Sequence, residues 1–516
     1  MLNELITSPS SGRIGAAGNL VFLDESDYDY GASWYYAYVR NSGGYYVSTD
    51  PVPYYTPISM TSGSRVTLGN DKRDVRGDGV EYNIRVDGHN IQGATTAVFF
   101  DGSGEFDFSP VTGAGKLGRS DAIAPQTQAI ITSNVATTLD TSWGKFNNSI
   151  IPGSQDVSSF GVRSSGAMTV VSDMSAVFKT SSQLTMVPFG DHTNNPPSPY
   201  VDSCSNNTAN AAAFRVGSMK IDNNFTGSLV SDNDNFKAKN YNTAAMNGNV
   251  VGAYGIWSDG AVSIAGVFSG NIHSQANGTN LVNNYLAGTD PASSVKDANV
   301  AKNASVNNNK INSIGIKGTD IVFNEFAAAE AGTPSIHTEV DGVRFVATSV
   351  GGDGSSSSVT GNDITSVAID GTNVTFNGKF LGHLDGVISD IAVGEFGGNS
   401  HTWTGNSYNL YGIRASGSIT ANSNFDGAIT LKVDAPDNSM QDSVVSSNVY
   451  GMYATSITVT NGYLRTDITV TVNDDLHCSS DSDYICGVRA DTITAASFDG
   501  SITVTNNRYL AVAVGL

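Results

Sequence analysis

The chain has 516 residues, enough for several ordinary domains or for one repeat array. Charged residues make up 15% and hydrophobic ones 39%, with 56 glycines against 14 prolines, a mixture suited to many tight turns between short β-runs. The formal charge of -21, from 48 acidic and 27 basic residues, excludes nucleic acid and disfavours anionic lipid as partners, since no Lys/Arg cluster offers counterion release.

The opening Met1-Leu2-Asn3-Glu4-Leu5 has neither a basic region nor an apolar core, so it does not read as a signal peptide. No apolar run approaches the ~18 residues of a membrane helix. Residues 1–80 are dense in tyrosine (Trp34-Tyr35-Tyr36-Ala37-Tyr38, Tyr45-Tyr46) and carry Pro51, Pro53 and Pro57. They are expected to form an irregular β-rich leading segment that caps the open end of a stack.

The stack itself is expected over residues 81–516, where the chain repeats. Each copy has a first apolar anchor and a second, larger one: Val162/Met174, Phe214/Phe225, Ile256/Phe268, Ile316/Phe326, Ile369/Phe380, Ile413/Phe425, Met452/Leu464 and Val488/Phe498. The two anchors lie ten to twelve residues apart in every copy, whereas successive first anchors are separated by 36 to 60. A constant packed unit joined by variable connections predicts stacking. A looser early copy is placed at Ile84, because Phe100-Asp101-Gly102-Ser103 matches Phe498-Asp499-Gly500-Ser501. The array ends in Tyr509 to Leu516, which resembles the start of another copy, so it reads as truncated there.

Within a copy the period is two, as strands require. Phe425, Gly427, Ile429, Leu431 and Val433 alternate with Asp426, Ala428, Thr430 and Lys432. This places one apolar face inward over three short strands. The glycine two residues past the second anchor (Gly227, Gly270, Gly382, Gly427, Gly500) falls on the inward side, where it leaves room for a neighbouring ring. Together these features predict an all-β fold, a right-handed parallel β-helix (β-solenoid) with variable loops between rungs.

Chemistry is sparse. Asp474-Asp475, beside His477, is the only adjacent acidic pair in the repeat region and reads as a solvated loop. Asp232-Asn233-Asp234-Asn235 starts like a calcium loop, but Thr243 stands where the twelfth-position carboxylate belongs. Gly351-Gly352-Asp353-Gly354 is half of a calcium-binding nonapeptide without its partner. His273 and His383 alternate outward and need no special explanation. Cys478 and Cys486 bracket a polar loop and are equally consistent with a disulfide and with two thiols; Cys204 has no obvious mate. Zinc-ligand spacing is absent. No catalytic, cofactor-binding or metal-ligating residue is therefore assigned, and no cofactor is expected.

The stretch from Tyr411-Gly412-Ile413-Arg414-Ala415-Ser416-Gly417-Ser418-Ile419 to Phe425-Asp426-Gly427-Ala428-Ile429 resembles the passenger regions of bacterial autotransporter-type surface proteins. That resemblance implies a long right-handed β-helix, poor in cysteine and displayed at the cell surface or secreted. The secretion signal and the barrel of such proteins would lie outside this chain. The function expected is a non-enzymatic, adhesin-like or structural stalk whose variable loops, such as Gln275–Lys310 and Gly332–Gly361, contact a host glycan or protein. The alternative is a carbohydrate-active β-helix, either a polysaccharide lyase or a tailspike-like depolymerase.

Overall fold

The structure is a computed structural model. It describes residues 14–16, 19–22, 32–39, 54–55, 58–68, 81–89, 94–108, 128–140, 156–187, 205–234, 236–240, 245–286, 303–327, 333–350, 356–396, 400–402, 404–435, 445–474 and 484–507. Every regular element among them is a strand, and every inter-strand ladder between them is parallel. No helix of the described residues is long and apolar enough to cross a membrane.

The strands fall into three parallel sheets of 21, 13 and 3 strands. One of them is a nearly closed, barrel-like sheet and the other two stand beside it as separate parallel sheets, which corrects the expectation of a single β-helical solenoid. The physical reason lies in what the period encodes. Alternation fixes which side of a strand faces inward, and the anchors fix which residues pair. Neither fixes the angle at each bend, which decides how strands are shared among sheets.

The connections depart from expectation as well. Parts of the segments expected to be loops are strands: Asn303–Asn307 and Ser356–Thr360 pair with each other and, with Ser400–Thr402, form the three-stranded sheet. Ala304, Val306 and Val359 are buried there. On the side of Asn307 the amide oxygen accepts from the Thr360 N–H at 2.9 Å and from Ser358 Oγ at 2.8 Å. Alternating Ala/Val with Ser/Asn is itself a strand pattern, and its high polarity is what gives it the look of a loop.

Backbone ladders also run through the first 80 residues. Ile14–Ala16 pairs with Ile58–Thr61, which pairs with Ala94–Asp101, and Ala32–Val39 pairs with Glu81–His89. The early copy does not start at Ile84. Ile84 aligns with Ile131 in the 13-stranded sheet, while Val98 is the residue opposite Val162. Phe100 lies opposite Ser164, ahead of the turn, so its Asp-Gly sequel is a coincidence of turn chemistry.

Both anchor columns are continuous. Val162, Phe214, Ile256, Ile316, Ile369, Ile413, Met452 and Val488 occupy one register position in successive strands. Met174, Phe225, Phe268, Phe326, Phe380, Phe425, Leu464 and Phe498 form a second column, each paired in parallel with the next. Ring centroids of Phe225/Phe268, Phe268/Phe326, Phe326/Phe380 and Phe380/Phe425 lie 4.7, 4.5, 4.9 and 4.2 Å apart. At Gly270, Gly382 and Gly427 the recurring glycine makes room for the ring of the preceding anchor. A Cβ on Gly427 would sit 2.0 Å from Phe380 Cε1 and 2.4 Å from the Gly382 carbonyl, and Gly382 meets Phe326 in the same way at 2.1 Å.

A third column lies outside the apolar repeat pattern. Asn207, Asn249, Asn309, Asn362 and Asn406 are all buried. Each of the first four donates its backbone N–H and its Nδ2 to the Oδ1 of the next; for Asn249 to Asn309 the distances are 3.0 and 2.8 Å. The same pair of bonds links Asn207 to Asn249, Asn309 to Asn362 and Asn362 to Asn406. Such ladders satisfy buried amides at a bend where strand pairing alone does not. The residue before each is left-handed: Asn206, Gly248, Asn308, Gly361 and Gly405 have φ between 55 and 70°. Asn and Gly are the residues that tolerate this conformation.

Candidate functional site

The richest cluster of chemistry among the described residues is on the outer face of the 13-stranded sheet. Four neighbouring strands build it: Ser228–Asp234, Asn271–Asn277, Ile336–Val350 and His383–Phe396. Their inward residues, Leu229, Ile272, Ile336 and Leu384 among them, are buried in the core. Alternation then forces the intervening residues outward. One outward row reads Val230, His273, His337, Asp385 and Thr430, and the next reads Asp232, Gln275, Glu339, Val387 and Lys432.

The side chains of the two rows interlock. His337 donates from Nδ1 to Asp385 Oδ2 at 2.7 Å, since a carboxylate only accepts. Its Nε2 lies 3.5 Å from Glu339 Oε2. Gln275 donates from Nε2 to the same Glu339 oxygen at 2.6 Å. The His273 ring stacks on that of His337 with centroids 4.7 Å apart. One atom each of His273, His337 and Glu339 fall within 4.8 Å of one another. His337, Asp385 and Glu339 keep about a fifth to a quarter of their side-chain surface in water, at 19, 20 and 25%.

The electrostatics arise from this packing. Burial by itself would lower the His337 imidazole, but its hydrogen bonds with Asp385 and Glu339 outweigh that and hold it up at about 9. His273 is pushed down by burial and then by the adjacent His337 cation. The His337 hydrogen bond holds the Glu339 carboxyl below its usual range. Beside the cluster, burial and then the Asp234 charge lift Asp232 to about 6. The Asp232 Oδ1 is buried without a hydrogen-bond partner.

The residues singled out in the sequence fare unequally. Asp232, Asn233 and Asp234 lie within a strand paired on both sides, so they do not open a calcium loop. Asn235, Thr243 and Gly351 to Gly354 lie outside the described residues, as do Asp475, His477, Cys204 and Cys478. Asp474 ends the Asp467–Asp474 strand, opposite Ala435. Cys486 is a free, half-buried thiol, raised by burial. His273 is outward, as the alternation requires, but it belongs to the cluster. His383 bonds through Nε2 to Thr430 Oγ1 at 3.0 Å.

A signal for the cluster does exist in the sequence. Ile272-His273-Ser274-Gln275 and Ile336-His337-Thr338-Glu339 are versions of one tetrapeptide. The first begins four residues after Phe268 and the second ten after Phe326, so alignment by anchors alone slides past the match.

Comparison with known proteins gives no counterpart: no protein-family model matches the chain, and no curated protein or solved structure shows significant similarity to it. Nothing in these comparisons identifies an autotransporter passenger or an adhesin. The fold implied by that resemblance is also the one corrected above, so the likeness rests on the alternation and spacing of one repeat.

Proposed function

We propose that the protein is a non-enzymatic structural scaffold, at the bacterial cell surface or secreted, that displays a varied outer face toward a glycan or protein partner. The observation that carries this reading is the contrast between its two sides. Inward columns keep one kind of side chain, large and apolar in the two anchor columns and asparagine in the third, for strand after strand. Outward rows change at nearly every step, from Val230 to His273, His337, Asp385 and Thr430. A stacked interior of Phe, Ile and Asn gives rigidity without depending on what lies outside. The charge of -21 adds solubility and repels anionic polymers.

The test has two arms on the full chain. Binding to an immobilised panel of glycans and extracellular proteins should be saturable for a small subset and should leave them uncleaved. Incubation with polysaccharides, followed by assays for reducing ends and unsaturated uronates, should show no release. Sustained release would replace the scaffold by a carbohydrate-cleaving enzyme.

A further inference from the structure

We propose that His273, His337 and Glu339 form a binding site for one divalent cation of the Zn²⁺ class, a site independent of the scaffold role. The donor set carries the choice of ion. Two imidazole nitrogens and one carboxylate oxygen suit Zn²⁺ and its borderline-soft neighbours, whereas Ca²⁺ and Mg²⁺ favour all-oxygen shells. The three side chains come from two adjacent strands: His273 lies opposite His337, and Glu339 is two residues along on the same face. A paired sheet holds these positions more tightly than a loop does.

The His337–Glu339 separation already suits chelation, and the His273 ligand atom, within 4.8 Å of both, has to swing in from its stack on His337 to complete the set. His337 Nε2 and Glu339 Oε2 are 3.5 Å apart. Two ligands at ~2.0–2.1 Å on a tetrahedral ion stand about 3.4 Å apart. The surroundings match those of a metal-binding imidazole. His337 is held through Nδ1 by Asp385 at 2.7 Å, which directs Nε2 toward the Glu339 side. A carboxylate behind a ligating histidine fixes its tautomer and orientation. Gln275 holds Glu339 from the other side at 2.6 Å. Three protein ligands on a partly exposed face leave a fourth position for water or for a group on a bound partner. Asp385 is thus a positioning residue, acting through His337.

The test uses the full chain without a histidine tag. Titration with Zn²⁺ against a competing chelator should show one equivalent bound, and Ca²⁺ or Mg²⁺ in large excess should not displace it. Co²⁺ as a probe should give the visible ligand-field bands of a low-coordinate nitrogen-containing site. His337→Ala and Glu339→Gln should abolish the stoichiometric site, and His273→Ala should weaken it at least tenfold. Asp385→Asn should weaken it roughly 10–100-fold while leaving the stoichiometry at one. Far-UV circular dichroism and the metal-free unfolding midpoint verify that each variant folds. Absence of saturable Zn²⁺ binding, displacement by Ca²⁺, or wild-type affinity in the folded His337→Ala variant would overturn the site. So would a wild-type Co²⁺ complex without ligand-field bands, a readout that needs no variant to fold.

Discussion

The column from Met174 to Leu464 and the row from Val230 to Thr430 are produced by the same register, yet they look unlike. On the inside, Phe225, Phe268, Phe326, Phe380 and Phe425 succeed one another and are buried. On the outside, an aliphatic residue gives way to two histidines, an aspartate and a threonine in five adjacent strands. Parallel pairing brings residue i of one copy against its counterpart in the next on both faces. Packing restricts only the inner face, because a close-packed interior tolerates little change of volume. The outer face is free to vary, and chemistry collects there when two adjacent copies happen to present ligating groups.

The largest expected break comes from the inner column. Phe425→Ala should cost about 3–5 kcal/mol in chemical denaturation, as for a buried aromatic that also stacks on Phe380. A loss under about 1 kcal/mol would mean that the column contributes little to the framework. Its neighbour Asp426 sharpens the contrast less than simple alternation suggests. Its side chain is only 9% exposed and Oδ1 lies 3.3 Å from Arg465 Nε, so it is an ion-paired edge residue and not a free surface group. No well-aligned hydrogen bond accompanies that approach, so the attraction there is chiefly Coulombic.

Next comes the asparagine ladder. Asn309→Ala removes the acceptor for the Asn249 N–H and Nδ2, and it takes the amide donor away from the Met246 carbonyl and from Asn362 Oδ1. About 2–3 kcal/mol of destabilisation is expected, with faster hydrogen exchange at the Asn249 amide. An unchanged exchange rate there would show that water takes over the ladder.

Gly427→Ala should cost about 2 kcal/mol, because the new methyl group collides with both the Phe380 ring and a carbonyl that cannot move aside. Thermal unfolding checks it. A neutral result would place the Phe380 ring elsewhere.

The smallest effect has the opposite sign and a pH signature. Asp232 titrates near 6 in the folded chain, above its ordinary 3.8, because burial disfavours the charged form. The neutral form's contribution to stability is complete below about 3.8 and is lost as pH rises through about 6. Asp232→Asn should therefore stabilise the protein at pH 8 by roughly 1–2 kcal/mol, less than full conversion of the shift because the carboxyl keeps partial access to water. Near pH 3.5 it should change little. Equal stabilisation at both pH values would remove burial of the charge as the cause.

Much of the framework was legible in particular residues. The anchor pairs, the alternation after Phe425 and the glycine at Gly427 all derive from period and side-chain size, and the register places them accordingly. The cluster was not legible. His273 and His337 are 64 residues apart, and a connection of variable length after Phe326 hides the tetrapeptide they share. The asparagine column is hidden for a different reason. Each member stands seven positions before a first anchor, as Asn249 before Ile256 and Asn309 before Ile316 do. In a chain so rich in Asn, a regular spacing of one polar residue is easily lost among the turns.

By itself the sequence determined that this is an all-β chain of parallel pairings, which anchor residues face inward, and how the copies from Val162 onward align at those anchors. Period and volume are local properties, and local properties are written residue by residue. Only the tertiary structure decided that the strands divide among three sheets, one of them nearly closed, and that two histidines and a glutamate meet on the outer face of the 13-stranded sheet. Those outcomes depend on bend angles and on which strand lies beside which, and both are set by the packing of the whole.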